Sequence, residues 1–394
     1  VAGQRARPRP VTIERAFTAR NTIAVMIVGV IGVLIPGLQP QLLGALVAEG
    51  RISTNTLGLL ATIELLAMGI AAGGAGFVLP VTRLRQVAVV ALAVAALADA
   101  LTPYAANAGL FAARAIAGLA EGVLIWIAIG LIVRSAQPER WSGIYLAVQT
   151  LAQFLIATML GLAVIPAYGS TGGFQALSLI TIAGIVALLW LPPAYLPVQA
   201  GEESQGAALP GRGLFALLGI TLYLAFIVAV WVYVEPLGLQ RGVEASSVRL
   251  IAPLSLAMQV LGAGSAALLA GRVPARLVVV LALVISLTLL GVMAAPPSAA
   301  AFVVASALFG FLWLFVMPFQ IPIVIAADPS RRAAMLIGGA QLIGSSLGPF
   351  AAALLVNDND VRPVLWFGAI CASLGVLALI AAGGRGRIGG QQAA

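Results

Sequence analysis

Residues 107–133 read NAGLFAARAIAGLAEGVLIWIAIGLIV. This run exceeds the roughly 20 apolar residues that a helix needs to cross a bilayer. It has no polar face, so it does not suit a helix on the surface of a water-soluble protein. It nevertheless carries two charges, Arg114 and Glu121, seven residues apart and on one helical face two turns apart. A charge inside a span is costly and ordinarily faces a cavity or a partner. The stretch predicts both a membrane helix and a site.

The rest of the chain repeats the first half of that statement. Apolar segments lie at 20–46, 55–79, 84–103, 107–133, 142–166, 173–196, 213–236, 249–271, 275–296, 299–326, 333–356 and 362–382, separated by short polar or Pro/Gly breaks. Of 394 residues, 61% are hydrophobic and 9% charged. An ordinary soluble protein is about 25% charged, so disorder and a water-soluble multidomain enzyme are both excluded as leading readings. Internal Gly and Pro are tolerated in such helices because neighbours satisfy the freed backbone groups.

Composition also narrows the chemistry. There is no His and one Cys, Cys371. Zinc sites of the usual Cys/His types, haem held by His and His-based acid–base catalysis are excluded, and no cofactor is expected. The net charge of +8 comes from Arg alone, and without Lys no GxxxxGK[ST] phosphate loop exists. The first 16 residues carry four Arg but no removable signal peptide, so the first span is expected to be retained.

The arginines are spread between apolar blocks, which argues against nucleic acid and for a positive-inside membrane protein. With residue 1 in the cytoplasm, that face receives Arg5, Arg7, Arg9, Arg15, Arg20, Arg83, Arg85, Arg134, Arg140, Arg212, Arg272, Arg276, Arg331, Arg332, Arg385 and Arg387. The other face receives Arg51, Arg241, Arg249 and Arg362. This bias predicts both termini in the cytoplasm. The polar break 197–212, with Gly201, Glu202, Glu203, Ser204 and Gln205, divides the spans six and six. At an offset of 191, Arg85 falls on Arg276 and Pro138-Glu139-Arg140 on Pro329-Ser330-Arg331. A parallel repeat of six-helix halves is a transporter architecture.

The expected fold is therefore an all-α polytopic membrane protein. Its twelve transmembrane helices form two pseudo-symmetric six-helix bundles: residues 1–198, a cytoplasmic linker 199–212, and residues 213–394.

Arg114-Ala115-Ile116-Ala117-Gly118 followed by small residues, and the loops Gly76–Arg85 and Ala270–Arg276, resemble the major facilitator superfamily. In the first loop Pro80 stands where the family carries an acid. Gly344-Ser345-Ser346-Leu347-Gly348-Pro349 is similar to the Gly-Pro motif of proton antiporters, but lies in span 11 rather than span 5. The resemblance is to the bacterial drug-or-sugar efflux branch. It implies a secondary transporter of the bacterial inner membrane, not an enzyme, exporting a small amphipathic or weakly charged compound in exchange for protons. It also implies gating at Arg83, Arg85, Arg272 and Arg276.

A helix rise of 1.5 Å per residue puts Arg114 about 10 Å, Glu64 about 13 Å and Glu121 about 20 Å from the same face. Glu121 and Glu64 are the candidate proton carriers, with Arg114 as partner; a purely structural ion pair is the alternative. Asp99 reads as an interfacial residue near the end of span 3. Gln39, Gln41, Gln149, Gln153, Gln320 and Gln341 supply amides for a substrate cavity. Trp126, Trp231 and Trp313 supply walls, and Glu235 sits at its outer mouth or at the membrane boundary. The Gly pairs 69/73, 118/122 and 344/348 read as helix-packing devices. The expected partners are a small-molecule substrate, protons and the lipid bilayer, with the protein a monomer that binds no nucleic acid. A proton-coupled uptake symporter, an uncoupled facilitator and a non-transporting membrane scaffold are the rival readings.

Overall fold

The computed structural model describes residues 18–135, 138–195, 209–296, 298–328 and 332–382. Arg5, Arg7, Arg9, Arg15, Arg331, Arg385, Arg387 and the polar break Gly201–Gln205 lie outside the described residues. The described chain is all-helical. Ten helical stretches in it are long and apolar enough to cross a membrane, so the protein is an all-α polytopic membrane protein.

The helices are α1 (Ala19–Gly32), α2 (Leu34–Ala48), α3 (Thr54–Val78), α4 (Leu84–Leu101), α5 (Asn107–Ile132), α6 (Pro138–Met159) and α7 (Ile165–Ala183). After a 3₁₀ tail, Gly184–Trp190, come α8 (Gly211–Gln240), α9 (Ala245–Val248), α10 (Ile251–Leu269), α11 (Ala275–Ala294) and α12 (Ala299–Ala327). The chain continues through α13 (Arg332–Met335), α14 (Ile337–Ala353) and α15 (Pro363–Ala382).

Local chemistry explains several boundaries. Thr18 and Asn21 form a reciprocal capping box at the start of α1. Ser53 and Ser298 cap α3 and α12 by accepting from the backbone N–H three residues on. One helical stretch, Trp141–Trp190, runs for 50 residues, more than one crossing requires. Gly169, at φ 64°, breaks it with a conformation that suits glycine. The Glu49 carboxylate then accepts from the Ser170 N–H and Oγ, both at 2.5 Å, and so caps the helix that restarts there.

Helices α1–α7 pack mainly on one another, as do α8–α15. The two groups are joined by α2 on α8 and α10, α3 on α14 and α8, and α6 on α10. The glycine pairs explain the closest approaches. A Cβ on Gly118 or Gly122 would strike the carbonyl oxygens of Glu64 and Met68, and one on Gly344 or Gly348 those of Thr221 and Ala225. These two pairs are the expected packing devices. The third differs: Gly69 faces Leu342, while Gly73 has open space beside it.

The joints between the groups concentrate at one end. α1 packs on α5, α6 and the 3₁₀ tail, all in its own group, whereas α2 reaches across. Pro40 cannot donate to the carbonyl of Pro36; Trp231 Nε1, from α8, donates to that oxygen instead at 2.9 Å. Gln41 Nε2 donates to the carbonyls of Ala157 and, across the seam, Arg249. Thr54 donates its N–H and Oγ1 to Asp358 Oδ1 at 2.6 and 2.7 Å, and Asn55 donates to the Ala353 carbonyl. This end also carries Arg51, Arg241, Arg249 and Arg362. Toward the opposite end, Gly73 and Gly74 of α3 and Gly338 and Gly339 of α14 have nothing beside them.

Candidate functional site

Arg114 is the centre of the first group. Its side chain is fully buried and touches three other elements through polar contacts. Nη1 donates to Glu64 Oε1 of α3 at 2.6 Å, Nη2 to Asp99 Oδ1 of α4 at 2.7 Å, and Nε to Thr102 Oγ1 at 3.1 Å. The guanidinium lies 5.2 Å from the centroid of Phe174, on α7, a distance at which ring and cation attract. Gln39 Nε2 of α2 donates to the second oxygen of Glu64 at 3.2 Å.

Glu121 lies two turns further along α5. It is 4% exposed and within electrostatic range of Glu64, Asp99 and Arg114. Its Oε2 is buried with no hydrogen-bond partner. An unpaired buried acceptor carries its full desolvation cost. The set holds one fixed positive charge and three carboxyl groups, all at least nine-tenths buried. It is electrically neutral only when two of the three are protonated. Unpaired charge in a buried, lipid-surrounded bundle is costly.

One sequence expectation changes. Asp99, read as interfacial, is 1% exposed and pairs with Arg114. The α4–α5 connection is the cause: residues 99 and 114 lie about equally far from its turn, and at 1.5 Å per residue they come level. Arg114 pairs with Glu64, which the helix rise puts at nearly the same depth, and not with Glu121, the other candidate partner.

The expected cavity residues are divided. Trp231 and Trp313 meet edge to face, with ring centroids 5.9 Å apart. Gln153 donates to the Val33 carbonyl at 2.5 Å, at the break between α1 and α2, and so acts in the scaffold. Gln41 and Glu235 lie at the seam with Arg249. Gln320 is 1% exposed and neither end of its amide has a partner. Trp126 packs near Gly76 at the C-terminal end of α3. Gln149 and Gln341 are half-buried. Gln259 Nε2 is a further buried polar atom without a partner, and Tyr233 Oη lies against the Gly58 backbone. Gln259 drew no attention in the sequence, where one amide in an apolar run is common. Of the loop arginines, Arg85 Nε donates to the Leu191 carbonyl at 2.6 Å and Arg272 to that of Leu268, both within their own group. Arg83 borders an apolar groove with α4 and α5 residues. Among the described residues no cluster of His, Cys, Asp and Glu is suited to a metal ion.

The sequence profile of the Major Facilitator Superfamily matches residues 21–353. The chain belongs to the major facilitator superfamily. It is thus a secondary membrane transporter rather than an enzyme. No curated protein sequence matches it. Among solved structures, it is similar to a point mutant of the nucleoside transporter NupG, with 12% identity, TM-score 0.68, and coverage of 92% of this chain and 99% of that one. A D-xylose-proton symporter has 12% identity and TM-score 0.67 over 92% and 96%. The xylose transporter XylE from E. coli, inward open, has 14% identity and TM-score 0.66 over 92% and 94%. The expectation of a drug-or-sugar efflux antiporter is corrected by these comparisons. These three structures are a nucleoside transporter, a D-xylose-proton symporter and a xylose transporter, and none of the three is named as a proton-exchanging exporter.

Proposed function

We propose that the protein takes up a small polar organic solute, of sugar or nucleoside size, together with protons. The observation that carries this reading is the buried set of Glu64, Asp99, Glu121 and Arg114, whose charge balances only with bound protons. The solute class draws on the resemblance to a D-xylose-proton symporter and a nucleoside transporter. It draws also on orphaned polar atoms in both groups: Gln39 Oε1 and Glu121 Oε2 in the first, Gln259 Nε2 and Gln320 in the second. Buried polar groups normally have partners, and hydroxyl groups of a solute would supply both donors and acceptors.

The architecture goes with it. Twelve spans form two six-helix halves, 1–198 and 213–394, joined by the linker 199–212. The count of twelve follows when the 50-residue stretch Trp141–Trp190 is two crossings and the 17-residue α14 is one. The arginine-rich end faces the cytoplasm of a bacterial inner membrane, with both termini there. The joints at the arginine-poor end then make this an inward-facing state, and exchange proceeds by rocking of the halves. Protonation of Glu64 or Glu121 redistributes the hold on Arg114 and biases that exchange.

In proteoliposomes with an imposed pH gradient, a panel of pentoses, hexoses and nucleosides should include a solute that accumulates with inward proton flow. Glu64→Gln and Glu121→Gln should each lower proton movement per solute, with exchange of solute across the membrane retained. Accumulation against the proton gradient, or unchanged coupling in both variants, would overturn the proposal.

A further inference from the structure

Glu235 lies outside the Arg114 set, on α8, at the seam. It is 8% exposed, and its Oε1 is buried with no partner. Its Oε2 faces Gly44 of α2, only 3.0 Å from where a Cβ would stand. One turn earlier on α2, Gln41 is 2% exposed. Its Nε2 is engaged, while its Oε1 is buried and unpartnered. Both residues line one cavity of about 170 Å³ between the two groups of helices.

The two orphaned atoms in this cavity are both acceptors, so a species that satisfies them must only donate. The other charged groups lining the cavity are Glu49 and Arg249. Glu49 is occupied, each oxygen accepting from Ser170. Arg249 is half-buried and acts electrostatically on Glu235. The faces from Ile165 of α7, Leu239 of α8, and Ala245 and Val248 of α9 are apolar. With a guanidinium in the same cavity, a metal or ammonium cation is repelled. A proton on the carboxyl adds no charge beyond neutralising it.

We propose that Glu235 is a second proton-binding site, and that its protonated carboxyl donates to Gln41 Oε1 across the seam and fastens the arginine-poor end shut. The proposal rests on the transporter reading but not on the Glu64 and Glu121 set. The protonated acid is the closed form, so the Glu235 contribution to closure is full at low pH and weakens as pH rises through the Glu235 titration. For uptake with protons the direction is coherent, because a proton arriving from that face would close the path behind it.

The test is a distance measurement by paired spin labels. Exposed Tyr104→Cys and Asn359→Cys mark opposite sides of the seam in a Cys371→Ala background, with the full chain in lipid nanodiscs and choline buffer, between about pH 5 and 9. That range avoids Asp358, whose carboxyl is held below its ordinary range by the Thr54 hydroxyl and N–H. The parent should shift from a short to a long distance population as pH rises. Glu235→Gln, whose amide donates as the protonated acid does, should stay short throughout. Glu244→Gln, an exposed carboxyl outside both sets, should keep the parent profile. Gly44→Ala, which presses a methyl on the Glu235 carboxylate, should move the midpoint. A Glu235→Gln profile like the parent's, or an unmoved midpoint in Gly44→Ala, overturns the proposal. Closure at high pH restored by sodium in place of choline also overturns it, in favour of a sodium site. In a Glu64→Gln background that has lost coupling, Glu235→Gln should still remove the pH-dependent shift, which separates this site from the first.

Discussion

The α3–α5 contact in the first group and the α10–α12 contact in the second are built alike and armed differently. In each, a glycine lets one helix lie against a carbonyl of the other: Gly118 against Glu64, and Gly310 against Ser255. The side chains at the matching places are Glu64 and Arg114 in one pair, joined by an ion pair at 2.6 Å. In the other they are Ser255 and Ser306, where Ser255 Oγ donates to the Ser306 carbonyl at 3.0 Å. The same packing geometry therefore holds a titratable set on one side and a neutral hydrogen bond on the other. At this contact, then, the titratable groups lie in the first group, while the second has a neutral pair of serines.

The largest expected difference comes from removing the centre of each contact. Arg114→Leu leaves two buried carboxylates without their partner and should cost about 3–5 kcal/mol of stability. Ser306→Ala should cost less than about 1 kcal/mol, because its hydroxyl only returns a bond to its own helix. Thermal unfolding of both purified variants in detergent checks this, and similar losses would break the comparison. Next comes the shared geometry. Gly118→Val and Gly310→Val should each cost about 1–3 kcal/mol or more, since the obstruction is backbone; a cheap substitution at either would show that the contacts are not equivalent.

Smaller effects sharpen the picture. Ser255→Ala should lose about 0.6 kcal/mol, the average for such bonds between membrane helices, and leave the proton-to-solute ratio unchanged in flux assays. Asp358→Asn should weaken the closed seam only slightly, as its site is exposed and solvent competes. The hydrogen bonds from Thr54 depress the Asp358 carboxyl in the closed form. Its contribution is present at neutral pH and is lost as pH falls below the ordinary aspartate range. Spin-label distances taken at acid pH should show that loss in the parent and not in Asp358→Asn.

How far the site was legible varies residue by residue. Arg114, Glu64 and Glu121 stood out because charge in an apolar run is conspicuous without any knowledge of neighbours. Asp99 was visible but misplaced, since counting from the end of one span gave its depth without showing which face it turned to the next. The Thr54–Asp358 joint had no sequence signal: its partners are 304 residues apart, one an ordinary helix-start residue and the other an ordinary turn residue. Gln41 and Gln153 looked alike as cavity amides, yet one meets the seam and the other mends a helix break.

Hydropathy is a local property. The chain by itself therefore determined that it is helical and lipid-embedded, that Arg114, Glu64 and Glu121 lie within apolar runs, and where its arginines gather. Which carboxyl holds Arg114, which end of the molecule is fastened, and which polar atoms remain unpaired depend on helix rotation and crossing. Those are set by contacts between distant segments, such as Gly118 on Glu64 and Trp231 on Pro36, and only the tertiary structure decided them.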